Sequence, residues 1–174
     1  MKHPLSLALA AILGGMVASP ALAQTSASAG QEASSMEATQ ANPFFEQSTL
    51  PLQYPHFDRI RDEHFAPAFD AGMAEQLAEI EAIANNPEDP TFENTIIALE
   101  KSGETLGRAT RVFFNLVGTD TNDARRKLQA DYSARFAAHR DAISLNPQLF
   151  ARIQALYNQR DSLGLDAEGV RLIE

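Results

Sequence analysis

Cysteine is absent from the 174 residues, which excludes disulfide bonds and thiolate zinc sites and leaves packing as the source of stability. Basic residues are scarce as well: 14 Lys and Arg stand against 23 Asp and Glu, for a formal net charge of −9. This balance argues against nucleic acid or an anionic membrane surface as a partner. Hydrophobic residues make up 44% of the chain, enough for one ordinary domain to bury a core.

Motifs that would place a catalytic centre are also absent. A zinc peptidase of the HExxH type needs two histidines four residues apart on one helical face, and none of His3, His56, His64 and His139 has such a neighbour. Neither G-x-S-x-G nor a glycine-rich phosphate loop occurs. We therefore predict no catalytic, cofactor-binding or metal-binding residue in this chain.

Two places hold reactive side chains, and for both a structural role is the favoured interpretation. Glu63 and His64 form a carboxylate–imidazole couple near a helix start, which we expect to orient the helix entrance by a hydrogen bond and to pack under Phe44 and Phe45. His139 lies in an apolar helical stripe and is interpreted as a satisfied core or boundary histidine. A catalytic site would need further groups converging on either one.

Residues 1–23 have the pattern of a cleavable signal peptide. A basic start, Lys2 and His3, precedes an uncharged apolar run over residues 5–17, and Ala21-Leu22-Ala23 gives a small-x-small cleavage site. The run is too short to cross a membrane, which needs roughly 20 residues. We expect cleavage after Ala23, a periplasmic location in a Gram-negative-like cell, and no membrane association afterwards.

The next segments are predicted to be a tether and an arm. Residues 24–41 are mostly Ser, Ala, Thr and Gln, a composition that cannot bury enough surface to become ordered, so we predict a disordered tether. Residues 42–57 are aromatic and interrupted by proline, which suits an extended arm laid across a helical body and held by its Phe and Tyr side chains.

From residue 57 onwards the apolar spacing is helical, which predicts an all-α domain over 42–174. A first helix over about 62–85 and a third over about 122–144 are predicted. The second helix opens at Thr91 and continues without interruption to about Val117. Its two glycines, Gly103 and Gly107, indicate that another element approaches closely.

The stripe of the first helix comprises Phe65, Phe69, Met73, Leu77, Ile80 and Ala84. The stripe of the second comprises Phe92, Ile96, Leu99, Gly103, Leu106, Thr110, Phe113 and Val117. The third should turn Leu128, Tyr132, Phe136, His139 and Ile143 inward.

Two further helices complete the predicted domain. Asn146-Pro147 should open the fourth, and Gly164 should end it. Asp166 should cap a fifth that runs to Glu174. The fourth is expected to turn Phe150, Ile153 and Tyr157 inward, whereas Val170, Leu172 and Ile173 of the fifth are expected to lack a partner, with marginal stability as the result.

Several sequence segments, in order, resemble the amino-terminal helices of the thimet oligopeptidase family of zinc metallopeptidases, and most closely those of bacterial peptidyl-dipeptidases. They are NPFF (42–45), FDRIRDEHFAPAFDAGMAEQLAEIEAI (57–83), PTFENTIIALEKSG (90–103) and LNPQLFARIQALYNQRDSLGLD (145–166). The resemblance implies a helical lobe that walls a channel for oligopeptide substrates, truncated at its carboxyl end. It implies zinc in the full-length enzyme, held by a downstream catalytic lobe and not by residues present here.

Three interpretations stay open at this point. The chain is an amino-terminal fragment of a secreted zinc peptidyl-dipeptidase or of a sister oligopeptidase, a stand-alone periplasmic helical binding or interaction protein, or a poorly folded gene remnant. The first two differ in whether the DNA after codon 174 encodes HExxH. The first and the second both predict no catalysis by the chain alone.

Overall fold

The computed structural model describes residues 42–174, so the predicted signal peptide and tether lie outside the described residues. Within that range the chain forms helices α1 (Phe65–Ala84), α2 (Ala98–Lys101), α3 (Glu104–Thr119), α4 (Asp123–Ser144), α5 (Pro147–Asn158) and α6 (Ala167–Ile173). Short 3-10 turns occupy Pro51–Gln53, Asp62–His64 and Arg160–Ser162, and a π-helical segment, Phe92–Ile97, leads into α2. None of residues 42–174 lies in a strand, which confirms the all-α prediction.

Helix α1 is the centre of the domain and contacts α3, α4 and α5. Its first half belongs to an aromatic cluster in which the ring of Phe69 meets those of Phe113, Tyr132 and Phe136 at 5.0–5.2 Å, each edge to face. Its second half, Ile80 to Ala84, packs with Leu149 of α5 in a separate cluster. The predicted stripes of the first and third helices are confirmed by this packing.

The crossing of α1 and α3 depends on Gly72, whose role the sequence patterns did not indicate. A Cβ atom on Gly72 would lie 2.7 Å from the backbone nitrogen of Leu106 and 2.8 Å from its Cα. Only a glycine leaves room for the two backbones to come this close. The apolar stripe of α1 shows which face is buried, but not how near its neighbour lies.

The predicted continuous second helix is wrong, because the helix breaks at Ser102 and Gly103. Ser102 is extended and Gly103 takes a left-handed φ of 72°, while the Gly103 amide donates to Glu79 Oε2 of α1 at 2.7 Å. A Cβ on Gly103 would also meet the amide group of Gln76 at 2.4 Å, so the close approach predicted there is confirmed. The start at Thr91 is confirmed, since its side chain accepts from the Asn94 amide, but the helix that follows is π-helical.

The arm is fixed at one end only. The Phe44 side chain is buried, with its ring 5.3 Å from that of Phe65, and the guanidinium of Arg108 donates to the Phe44 carbonyl at 3.1 Å. The prediction that Tyr side chains also hold the arm is wrong, because Tyr54 is 63% exposed. Leu52, in the 3-10 turn, is fully exposed and has a φ of 56°.

The inward face of α5 also differs from the prediction. Phe150 and Tyr157 are exposed, at 59% and 41%, whereas Leu149, Arg152 and Leu156 are buried. The cap at Asn146 is confirmed: its side chain accepts from the amides of residues 148 and 149. The buried face of α5 is shifted by about one residue from the predicted one. The reason is that Arg152 points inward, where it reaches carbonyl groups beyond the end of α1.

The last helix is covered by its own chain. Asp166 caps α6 by accepting from the Gly169 amide at 2.8 Å, as predicted. Ile173 is buried with Ile96 and Leu156, so the prediction that it lacks a partner is wrong, while Leu172 stays exposed. Gly164 is left-handed, with a φ of 67°, but it follows the 3-10 turn Arg160–Ser162 and not α5 itself. In residues 42–174 no helix combines the length and the apolar character needed to span a membrane.

Candidate functional site

The Glu63–His64 couple lies at the entrance to α1, where the histidine alone makes contacts. His64 Nδ1 accepts from the Arg61 amide at 3.0 Å, and the His64 carbonyl accepts from the Asn42 side chain at 2.7 Å. The predicted hydrogen bond at the helix entrance is therefore confirmed for His64. Glu63 is exposed, and its side chain takes part in none of the side-chain hydrogen bonds or ion pairs of the described residues.

His139 is buried in α4, with 8% of its surface exposed. Its Nε2 lies 2.7 Å from Gln76 Oε1, and Gln76 Nε2 donates in turn to Ser102 Oγ at 3.4 Å. Since Gln76 Oε1 can only accept, His139 Nε2 carries the proton and Nδ1 is left as an acceptor. Within residues 42–174, Nδ1 has no partner. The prediction of a satisfied histidine thus holds for one ring nitrogen and fails for the other.

The third histidine of the described residues, His56, lies in the arm, where its Nδ1 is 4.0 Å from Asp58 Oδ1. His3 lies outside the described residues, and the structure does not bring His56, His64 and His139 into a common site. Across the described residues, no three His, Asp or Glu side chains are placed to hold a metal ion.

Two polar clusters that the sequence reasoning missed join α4 to α1 and to the 3-10 turn that precedes α1. Tyr132 donates to Asp70 Oδ1 at 2.7 Å, and Arg135 pairs with the same oxygen at 2.7 Å while its guanidinium lies 4.4 Å from the Tyr132 ring centre. Burial, with the Asp70 hydrogen bond, raises the pKa of Tyr132 to about 12, so the phenol stays protonated and acts as a donor. At the other end of α4, Arg125 binds Asp62 Oδ1 at 2.7 Å.

Arg152 is the other residue whose role the sequence reasoning missed. Among the buried charged side chains of the domain, it makes the most hydrogen bonds. Its guanidinium donates to the carbonyls of Asn86 and Glu88, at 2.9 and 3.0 Å, and to the side chains of Asn94 and Thr95, at 3.0 and 3.3 Å. No carboxylate pairs with it among the described residues, and its side chain is 8% exposed. The sequence does contain a feature that could have indicated this role: Arg152 lies three residues after Leu149 and four before Leu156, on the same helical face as these two leucines.

Two concave surfaces are present on the described part of the chain. The arm groove, of about 460 Å³, lies between the arm and α3 and is lined by Tyr54, His56 and Phe57 with Arg108 and Arg111. The α3–α4 cleft, of about 780 Å³, is lined by Gly107, Thr110 and Phe114 of α3 and by Phe136, His139 and Arg140 of α4. Neither holds an arrangement of nucleophile, base and oxyanion donor.

Sequence comparisons find relatives of this helical domain. No model of a protein family matches the chain. The dipeptidyl carboxypeptidase of Escherichia coli is 52% identical over 136 residues, and that of Salmonella typhimurium is 50% identical over 133 residues. These matches cover 78% and 76% of the chain. Over most of its length the chain is similar to these two dipeptidyl carboxypeptidases, which confirms the resemblance to peptidyl-dipeptidases. The chain spans 20% of the length of each of the two relatives.

The burial of His139 makes the domain sensitive to mild acid. Desolvation lowers the pKa of His139 below its usual 6.5, so the unfolded state takes up a proton before the folded state does. Stability is therefore full above about pH 6.5 and falls as the pH drops from there towards the lowered pKa, by at most about 1.4 kcal/mol per pH unit. Urea unfolding between pH 7.5 and 5.5 measures this loss.

His139→Gln is the matched variant for that experiment, because a glutamine amide can still donate to Gln76 but does not titrate. We expect a smaller loss of unfolding free energy between the two pH values in this variant than in the wild-type chain. All other side chains are the same in both proteins, so the comparison isolates position 139. An equal loss in the two proteins would contradict the assignment to His139.

Proposed function

We propose that residues 42–174 form the amino-terminal helical lobe of a secreted, zinc-dependent peptidyl-dipeptidase of the thimet oligopeptidase family. The observation that carries this proposal is the 52% identity to the E. coli dipeptidyl carboxypeptidase, which extends over 78% of the chain but only 20% of the relative. The parent enzyme would hydrolyse oligopeptides and release dipeptides from their carboxyl ends. The role of this segment would be to wall the substrate channel.

The residues of this chain do not fit a zinc site. The sequence has no HExxH. His139 Nδ1 is the one buried ring nitrogen without a partner among the described residues, and it does not belong to a group of His, Asp or Glu side chains that could hold a metal ion. The metal and the groups that polarise the scissile carbonyl would therefore belong to the rest of the parent protein. What this segment would contribute is a rigid surface, supported by the aromatic cluster and by the buried contacts of Arg152.

The purified chain should release no dipeptide from a tetrapeptide, with or without added zinc, because its sequence has no HExxH to bind the metal and supply the general base. The substrates are one tetrapeptide with a free carboxyl group and the same peptide with a blocked one. Release from the free form that a chelator abolishes would overturn this assignment. HExxH encoded beyond codon 174 would support the parent enzyme; a downstream sequence without it would favour the stand-alone binding protein.

The proposed location is the periplasm, with residues 1–23 acting as the export signal. The support is the pattern of the sequence: a basic start, a short apolar run and the Ala21-Leu22-Ala23 cleavage site. Expression in a Gram-negative host followed by amino-terminal sequencing of the periplasmic extract should find a chain that begins at Gln24. A full-length chain that begins at Met1 and stays in the cytoplasm would contradict the proposal.

A further inference from the structure

Among the described residues no other element lies close to Gly107, contrary to the approach predicted there. Gly107 lies within α3, where a glycine is a poorer helix former than alanine. A Cβ on Gly107 would meet only the guanidinium of Arg111, at 3.1 Å, which belongs to the same helix and is flexible. The other glycines of this region, Gly72 and Gly103, each accommodate a neighbouring element. Gly107 instead faces the α3–α4 cleft.

The cleft has the surface of a helix-binding groove. Gly107, Thr110 and Phe114 follow one another at steps of three and four, which is the spacing of one helical face. Small side chains at such positions let a second helix approach closely. Phe114 is half exposed and, with Phe136, gives the groove an apolar wall.

Two unpaired arginines of the cleft indicate what that helix would carry. Arg111 and Arg140 line it and form no ion pair within residues 42–174, whereas Glu100 and Glu104 line it as well and Glu104 pairs with Arg108. His139 also lines it, but its unpartnered Nδ1 is buried and offers no contact to a docked helix. An incoming helix with a small apolar face, and with acidic residues towards the two arginines and away from Glu100 and Glu104, would complement the cleft.

We propose that the α3–α4 cleft is the seat of a helix from the remaining four fifths of the peptidyl-dipeptidase to which this segment belongs. This inference rests on the proposed function. The length outside the chain supports that choice of occupant, because the chain spans 20% of each relative. In the complete protein the cleft is then an internal helix–helix contact, and Gly107 is the point of closest approach.

The test compares Gly107→Leu with Gly118→Leu in two contexts. Both positions lie in α3, and a Cβ on Gly118 would meet nothing within 4 Å. The contexts are the isolated 174-residue chain and a chimera in which this chain replaces the matching fifth of the E. coli dipeptidyl carboxypeptidase. Melting temperature and dipeptide release from a tetrapeptide are measured for each protein.

In the isolated chain Gly107→Leu should raise the melting temperature by about 3 °C, since it gains helix propensity and displaces only the Arg111 side chain. In the chimera the same change should lower the melting temperature by several degrees, because the leucine would collide with the docked helix. Gly118→Leu should not lower it in either context. This reversal of sign identifies an occupied cleft.

The two proposals fail in different ways. A chimera that releases dipeptides but is stabilised by Gly107→Leu as much as the isolated chain would overturn the docking inference alone. A wild-type chimera that does not fold or releases no dipeptide would overturn the proposed function, and the docking inference with it. If the isolated chain melts without a transition, the comparison of Gly107→Leu with Gly118→Leu in the chimera decides.

Discussion

Replacing Arg152 by alanine should lower the free energy of unfolding by about 3–4 kcal/mol. The guanidinium donates to two carbonyls in the turn after α1 and to two side chains at the start of the π-helical segment. Removal leaves the two carbonyls and the oxygen of the fully buried Thr95 hydroxyl without this donor and opens a cavity beneath α5, while Asn94 Oδ1 still accepts from the Thr91 amide and the Thr95 hydroxyl. Urea unfolding followed by circular dichroism measures the loss.

Two further variants separate these contacts from a general effect of charge. Arg171→Ala removes an exposed arginine from α6 and should change the free energy of unfolding by less than about 0.5 kcal/mol. Arg152→Lys keeps the charge but cannot reach four acceptors from one nitrogen, so we expect it to lie between the wild type and Arg152→Ala. If the free energy of unfolding of Arg152→Ala lay within about 0.5 kcal/mol of the wild-type value, the hydrogen bonds of Arg152 would contribute little to stability.

Replacing Gly72 by leucine should cost about 3 kcal/mol, although leucine is the better helix former. The new Cβ would lie 2.7–3.0 Å from the backbone and Cβ of Leu106, so α1 and α3 would have to move apart along the aromatic cluster. The expected results are a lower urea midpoint and a weaker near-ultraviolet signal from the Phe and Tyr rings.

Gly118→Leu is the control for this prediction as well, because it makes the same chemical change in a helix with open space around it. Its free energy of unfolding should equal or slightly exceed that of the wild type. If Gly72→Leu behaved like Gly118→Leu, the close approach of α1 and α3 at Leu106 would be ruled out.

The elements that the sequence predicted correctly are those set by local rules. The buried stripe of α1 follows from spacings of four and three, and the caps at Thr91, Asn146 and Asp166 follow from side chains that reach an amide two or three residues away. These features need no knowledge of the rest of the fold.

The elements that it missed are set by residues distant in sequence. The spacing of the second helix continues across Ser102 and Gly103, so nothing local marks the break; it depends on Glu79 and Gln76 of α1. Likewise, large aromatic side chains in α5 suggested an inward face, but the carbonyls that draw Arg152 inward lie 64 and 66 positions earlier. The unpaired Nδ1 of His139 is also visible only once α1 and α4 are packed.

The division of the core into separate clusters has a consequence for how the domain opens. The aromatic cluster joins the arm, α3 and α4 to the first half of α1, whereas an aliphatic cluster joins α5 to its second half and a third cluster joins the π-helical segment and α6 to α5. Helix α1 passes through the first two, as α4 also does through Ile143, so the amide protons of α1 report on two neighbouring units at once. Hydrogen exchange along α1 therefore reads the coupling between them: a uniform rate along the helix means one unit, and a step near Leu77 means that either half can open while the other stays folded.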